Sequence, residues 1–233
     1  MIYITGDTHG ELKQFDSPQM RRLKKEDTLI VCGDFGFLWN ESREEQKALA
    51  KLSKKKYRIL FVDGTHENYD LLNAQPEEEW NGGKVHKISE NIYHLMRGQI
   101  FEIEGKHIFT FGGGESEDKA IRVAAQTWWA QEMPTFEEMQ EGVRNLKHHD
   151  CSVDYIITHS PSPRMQMVSN NHTENKNQLE AYFNEIVKEV KFRRWFFGSM
   201  HIDRKITASN YAVFQEVLSA EDPDAGMQRR RRR

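Results

Sequence analysis

The sequence predicts an α/β fold with a parallel central sheet, and two observations carry that expectation. Short apolar runs of strand type, Met1–Thr5, Thr28–Cys32 and Ile59–Val62, each end at or just before a glycine. Continuous apolar runs bounded in this way suit strands buried on both faces. Between the second and third lies Glu41–Lys56, rich in Glu, Lys, Ala and Leu, so the chain reads β-α-β, the rhythm of a parallel sheet with crossover helices.

The elements follow in order. Ile92–Met96, Ile100–Ile103 and His107–Phe111 are separated only by Arg97-Gly98 and Glu104-Gly105-Lys106. Turns this short predict antiparallel pairing, because a parallel connection needs a crossover. Pro134-Thr135 opens a helix with Glu138 in the capping-box position, running to about Lys147. Val153–Thr158 reads as a strand ending at His159. Asn175–Val190 reads as a helix with Leu179, Tyr182, Phe183, Ile186 and Val187 on one face. Trp195–Phe197 is a strand ending at Gly198, and Ile206–Ala208 with Tyr211–Phe214 reads as a closing hairpin. No internal repeat or linker interrupts the pattern, so residues 1–220 are expected to form one domain, and 221–233 a loose tail ending in five arginines.

Composition narrows the classes. The chain has 233 residues, 37% apolar, 11% aromatic and 30% charged, which is globular rather than disordered. No apolar run approaches the ~20 residues of a membrane span, so no membrane role is expected, and the opening residues lack a basic n-region, so no secretory signal is expected. Cys32 and Cys151 are too few for a disulfide framework and suggest a reducing cytoplasm. The 33 basic groups include the five terminal arginines and face 36 acidic groups. The body is therefore acidic, which disfavours nucleic acid as the partner, although the arginine tail keeps that reading open.

The chemistry-bearing residues sit at strand ends. Asp7 and His9 follow the first strand, Asp34 the second and His66 the third; His159 and His201 follow the strands at Val153 and Trp195. In open α/β sheets, sites form outside the carboxyl ends of the strands. Asp7 and His9, two apart in extended backbone, would point to one side and grip one ion. Carboxylates and imidazoles together suit Mn, Fe, Zn or Ni better than Ca or Mg.

The ordered series Gly6-Asp7-Thr8-His9-Gly10, Gly33-Asp34-Phe35-Gly36, Gly64-Thr65-His66-Glu67-Asn68, Thr158-His159 and Gly198-Ser199-Met200-His201 resembles the calcineurin-like metallophosphoesterase family. The resemblance spans residues 1 to about 203. It implies a four-layer α/β/β/α sandwich of two mixed sheets flanked by helices, with two metals on one edge, and hydrolysis of phosphomonoesters or phosphodiesters. By this resemblance Asp7, His9 and His201 hold metal one, Asp34 bridges both ions, His159 holds metal two, and His66 protonates the leaving group. Mn or Fe is the expected metal, with Zn or Ni as alternatives. Two such cations ~3.5–4 Å apart clamp the attacking and leaving oxygens of an in-line displacement, and bound water loses a proton near neutral pH to become a hydroxide nucleophile. The expected substrate is a small phosphate ester.

Two positions depart from the family pattern. Its GNHE asparagine is Thr65 here, and the first histidine of its GHxH is Ser199. Both family residues bind metal two, so one tight site and one weak or absent site are expected. A replacement ligand, with Asn68 and His172 nearest in sequence, is a second outcome. A third is a catalytically impaired protein that binds a phosphate ligand or protein partner through the same cleft. The Gly112–Lys119 segment resembles a GGxxS-x-D stretch of some relatives, where backbone N–H groups, Lys119 or Arg122 would meet substrate phosphate. Trp128-Trp129 would either wall the cleft or pack in the core. Arg97 reads as structural and His148-His149 as a helix end. His86, His94 and His107 lack partners in any pattern, while Asp63, Asp154 and Asp203 are candidates to support ligating histidines.

Overall fold

The computed structural model describes residues 1–165 and 177–231. Its strands are β1 (Ile2–Thr5), β2 (Thr28–Cys32), β3 (Arg58–Val62), β4 (Glu77–Trp80), β5 (Gly83–Ser89), β6 (Ile92–Leu95), β7 (Gln99–Ile103), β8 (Lys106–Phe111), β9 (Ser152–Thr158), β10 (Lys191–Phe197), β11 (Arg204–Lys205), β12 (Asn210–Ala212) and β13 (Leu218–Ser219). The helices are α1 (Arg43–Leu52), α2 (Tyr69–Asn73), α3 (Lys119–Ala124), α4 (Phe136–His148), α5 (Gln178–Glu189) and α6 (Pro223–Arg231). Among the described residues the strands form two sheets, ordered β13-β1-β2-β3-β6-β5-β4 and β11-β12-β10-β9-β8-β7.

Alternation along the strands builds the layers. Ile30 and Cys32 of β2, Leu60 and Val62 of β3, Tyr155 and Ile157 of β9 and Phe196 of β10 meet in one buried core between the sheets. Their alternate neighbours turn outward. Leu29, Val31, Ile59 and Phe61 pack with Leu52 of α1 and Leu72 of α2. Ile156, Trp195 and Phe197 pack with Leu146 of α4 and Phe183 of α5. These central strands thus bury both faces, as a period-two pattern without polar interruption requires, and the result is helix, sheet, sheet, helix.

The parallel register β1–β2–β3 pairs Ile4 with Ile30 and Ile30 with Leu60, and the second sheet runs β8–β9–β10 in parallel, Phe111 beside Thr158 and Thr158 beside Phe197. The carboxyl ends of both sets therefore finish at one edge. Helix α4 begins at Thr135 with the expected capping box to Glu138, and α1 is capped by Ser42, which accepts the Glu45 N–H.

Three local expectations are corrected. β6 does not pair with β7: it lies parallel to β3 and antiparallel to β5, and only β7–β8 forms the expected hairpin. The chain changes sheets at Arg97-Gly98, where Arg97 is buried against Asp63 and Gly98 holds φ +73 within a close approach to Gly142. The closing hairpin pairs Arg204–Lys205 with Tyr211–Ala212 rather than starting at Ile206. Where a loose tail is expected, Pro223–Arg231 is helical and Met227 packs against the inter-sheet core.

Candidate metal centre

The five strand-end residues singled out as ligands converge on one edge. Asp7 stands after β1, Asp34 after β2, His159 after β9 and His201 after β10, with His9 two residues beyond Asp7. Ligand atoms of Asp7, His9 and His201 lie within 4.8 Å of one another, as do those of Asp7, Asp34 and His159. The first group is solvent-facing apart from Asp7; the second is buried throughout.

The backbone is bent to achieve this. His9, Asp34, Ser199 and His201 hold φ of +44, +48, +50 and +49, a left-handed conformation costly for non-glycine residues and concentrated at functional sites. The approach of Asp7 and His9 thus comes from a left-handed turn at His9, not from the extended pair assumed from sequence. Glycines make room: a Cβ at Gly33 would lie 2.1 Å from His159 Nδ1, one at Gly64 2.0 Å from Asp34 Oδ1, and one at Gly198 2.3 Å from Asp7 Oδ1.

Both carboxylate oxygens of Asp7 are buried, and among the described residues neither accepts a hydrogen bond. Their neighbours are imidazole nitrogens: His201 Nε2 at 3.2 Å from Oδ2 and His159 Nδ1 at 3.5 Å from Oδ1. His9 Nε2 and His201 Nε2 face each other at 3.1 Å. A buried carboxylate without a hydrogen bond is costly unless positive charge, an imidazolium or a metal ion, stands against it, and the mix of carboxylate and imidazole donors here fits a divalent transition ion. His159 Nδ1 is 3.0 Å from the Cys32 carbonyl, which fixes its proton there and turns Nε2 toward Asp34 Oδ1 at 3.7 Å.

Asp34 touches both groups, at 3.7 Å from His9 Nε2 and 3.7 Å from His159 Nε2. Yet the residue the two ligand groups share is Asp7, where the sequence reading expects Asp34 to bridge. With Asp7 counted, the buried group offers three side-chain donors that could hold an ion. Burial works against charge on Asp7 and Asp34, but the surrounding histidines outweigh it and hold both carboxyls below the usual carboxylate range. Burial also opposes charge on His159, yet Asp34 and Asp7 together raise it to about 10.

His66 lies beside the ligands and belongs to neither group. Its backbone N–H donates to Asp34 Oδ1 at 2.7 Å, its Nδ1 is 3.3 Å from Asp34 Oδ2, and its Nε2 is 3.3 Å from Asp118 Oδ2. The bond to Asp34 raises its pKa. Thr65 Oγ1 is turned to His66 Nδ1 at 3.1 Å, and Ser199 is exposed on the groove wall. Asn68 is no replacement ligand: its side chain caps α2 through Leu71 N–H and donates to the Trp39 carbonyl. His172 lies outside the described residues.

Arg122 is also corrected. It is buried at 5% exposure and its guanidinium is spent on the protein, with Nη1 2.6 Å from the Thr65 carbonyl and Nε and Nη2 on the Thr127 carbonyl. Nη1 also lies 3.5 Å from Glu132, whose carboxylate takes the Ser116 N–H and hydroxyl. The loop carrying Thr65 and His66 is held from its other end by Asp63, which binds buried Arg97 and stands 3.1 Å from His94. Lys119 does reach the groove, lying 4.3 Å from the Trp128 ring centroid. Trp129 packs on the outer core and donates to Asp70. Asp154 binds the His107 N–H, and Asp203 accepts the N–H groups of Phe214 and Glu216.

Three further residues carry roles that the sequence alone does not assign. Glu67 accepts the Phe35 N–H at 2.8 Å and so pins the turn bearing Asp34; burial, with Asp34 nearby, pushes its pKa up to about 8. Asp118 faces His66, and Trp39 walls a groove beside His9. Glu67 directly follows His66 in its motif, Asp118 is the aspartate of the GGxxS-x-D segment, and Trp39 lies five residues after Asp34.

The family model described as calcineurin-like phosphoesterase matches residues 1–203. The solved structure of TT1561 from Thermus thermophilus superposes with a TM-score of 0.51 at 12% identity, covering 94% of each chain, a likeness of fold. No curated protein matches the sequence. Among the described residues no helix is long and apolar enough to cross a membrane.

Proposed function

The chain belongs to the calcineurin-like phosphoesterase family, and from that premise we propose that it is a metal-dependent hydrolase of a small phosphate ester, with a tight first metal site and a weaker second one. The observation that carries this reading is the buried, unbonded carboxylate of Asp7 between the histidines of two ligand groups. Asp7, His9 and His201 would hold the first ion beside Asp34, and His159 with Asp34 and Asp7 the second; Mn or Fe suits this mix of imidazole and carboxylate. Ions there would polarise a phosphoryl oxygen and acidify water.

The protein's own residues supply the rest. Asp34 orients His66 through its backbone N–H and Nδ1. In the imidazolium form a second proton sits on Nε2, 3.3 Å from Asp118 Oδ2 at the edge of the groove, and this is the proton His66 would give to the departing oxygen. Asp34 raises the His66 pKa, which favours the protonated form that a general acid needs. Glu67 and Arg122 keep the two loops in register. The free cysteines fit a reducing cytoplasm, and the acidic body favours a small substrate over nucleic acid.

Metal-stimulated hydrolysis of an aryl phosphodiester tests the proposal. Activity should appear with Mn or Fe. His66→Ala should cost ~10²–10⁴-fold on an unactivated ester and much less on a nitrophenyl ester, whose leaving group needs no proton. Phosphate binding without turnover under every metal would instead establish the binding-protein reading favoured by the losses at Thr65 and Ser199.

A further inference from the structure

Two grooves meet at the centre. The larger, of about 1020 Å³, is bordered by Thr65, His159, Ser199, Met200 and His201. The smaller, of about 440 Å³, is bordered by His9, Gly36, Trp39, Asn40 and Ser42. His66 borders both. His9 faces the smaller and His201 the larger, with their Nε2 atoms 3.1 Å apart. The ligand cluster is therefore the divide between the two grooves.

We propose that the substrate is a small phosphodiester whose two ester substituents lie one in each groove, with a flat ring against Trp39; this rests on the phosphoesterase reading above. A monoester has one substituent and needs one groove, whereas a diester has two that diverge from phosphorus, and a centre placed on a divide accepts both. Charge points the same way. Glu115, Glu117 and Asp118 outnumber Lys119 and Arg204 on the larger groove, and Glu44 and Glu45 border the smaller. A net negative rim favours a monoanionic diester over a dianionic monoester.

Trp39 is built for stacking. Its backbone N–H is bound by Glu45 and its carbonyl by Asn68. Its ring meets Trp129 edge-on at 5.8 Å, and Trp129 is anchored to Asp70 at 2.8 Å. A ring already fixed in place gives up little entropy when a second ring stacks on it. The larger groove offers Pro161, Met200 and Ile202 as an apolar wall for the other substituent.

The test compares bis(4-nitrophenyl) phosphate with 4-nitrophenyl phosphate in the metal-loaded wild type, Trp39→Phe and Trp39→Leu, and measures calorimetric binding of diphenyl phosphate and phenyl phosphate to the same proteins. The wild type should prefer the diester at least tenfold in kcat/KM. Trp39→Leu should lower that preference and diphenyl phosphate affinity by roughly tenfold, within the ~5–150-fold expected of one stacked ring, while Trp39→Phe keeps most of both. Preference for the monoester, or equal diphenyl phosphate binding by wild type and Trp39→Leu, overturns the proposal. If neither ester is hydrolysed under any metal, the phosphoesterase reading fails, and the Trp39 dependence of diphenyl phosphate binding still decides the groove assignment.

Discussion

Replacing Arg122 by Met separates a scaffold role from a substrate role for this residue. Met fills a similar volume but removes every donor. The Thr65 carbonyl loses a partner at 2.6 Å, the Thr127 carbonyl loses two at 3.0 and 2.8 Å, and Glu132 loses the cation 3.5 Å away while keeping Ser116. Hydrogen bonds from a charged donor are worth ~1.5–3 kcal/mol each. They share one guanidinium and do not add, so the range for breaking a buried pair, ~3–5 kcal/mol, is the better figure. With a urea m-value of about 2.5 kcal/mol/M, the unfolding midpoint should fall by roughly 1–2 M. Because the lost donor held the carbonyl next to His66, turnover of an unactivated ester should also fall more than that of a nitrophenyl ester. A midpoint shift below ~0.3 M would refute the scaffold role. A rise in KM alone, equal for both esters, would restore Arg122 as a phosphate-binding residue.

Other outcomes follow from the same geometry. Ser199→His should raise affinity for a second ion more than Thr65→Asn does, since Ser199 faces the groove with an exposed short side chain while Thr65 is turned to His66; metal titration of both variants and the double variant should show coupling, because the changes share one ion. His86 is held down to about 4 by burial and by His94, whose Nδ1 is 2.9 Å from its own. The unfolded chain therefore takes up a proton near pH 6.5 that the fold refuses, so stability should decline as pH falls from about 6.5 to 4. Thermal unfolding against pH in wild type and His86→Gln should show a flatter acid limb in the variant. Asp63, held below the carboxylate range by Arg97 against the cost of burial, contributes stability that is present above about pH 4 and lost progressively below it; Asp63→Asn should remove that second acid dependence.

Much of the site is legible in sequence because its donors sit where buried apolar strands stop. Asp7, Asp34, His159 and His201 each follow such a run, so knowing the strands was enough to place the ligands at one edge. The hairpin β4–β5 was not read. Glu77, Glu78 and Glu79 are poor strand formers on an exposed edge, and the signal lay instead in Asn81-Gly82, whose φ of +49 and +93 make the turn. The sheet change after β6 was hidden for a different reason. It depends on Arg97 reaching Asp63, a contact between distant residues with no local periodicity. Arg122 illustrates the same limit: a basic residue near a glycine-rich turn resembles a phosphate ligand until the fold brings the Thr65 carbonyl to it.

The metal centre rests on the two ligand groups around Asp7. Anomalous scattering at the Mn or Fe edge, from crystals grown with the metal, tests this most directly. A peak among Asp7, His9 and His201, beside Asp34, is predicted, with a weaker second peak among Asp7, Asp34 and His159. No peak at this edge, with Asp7 still buried between the histidines, would contradict the metal centre and the hydrolytic function built on it.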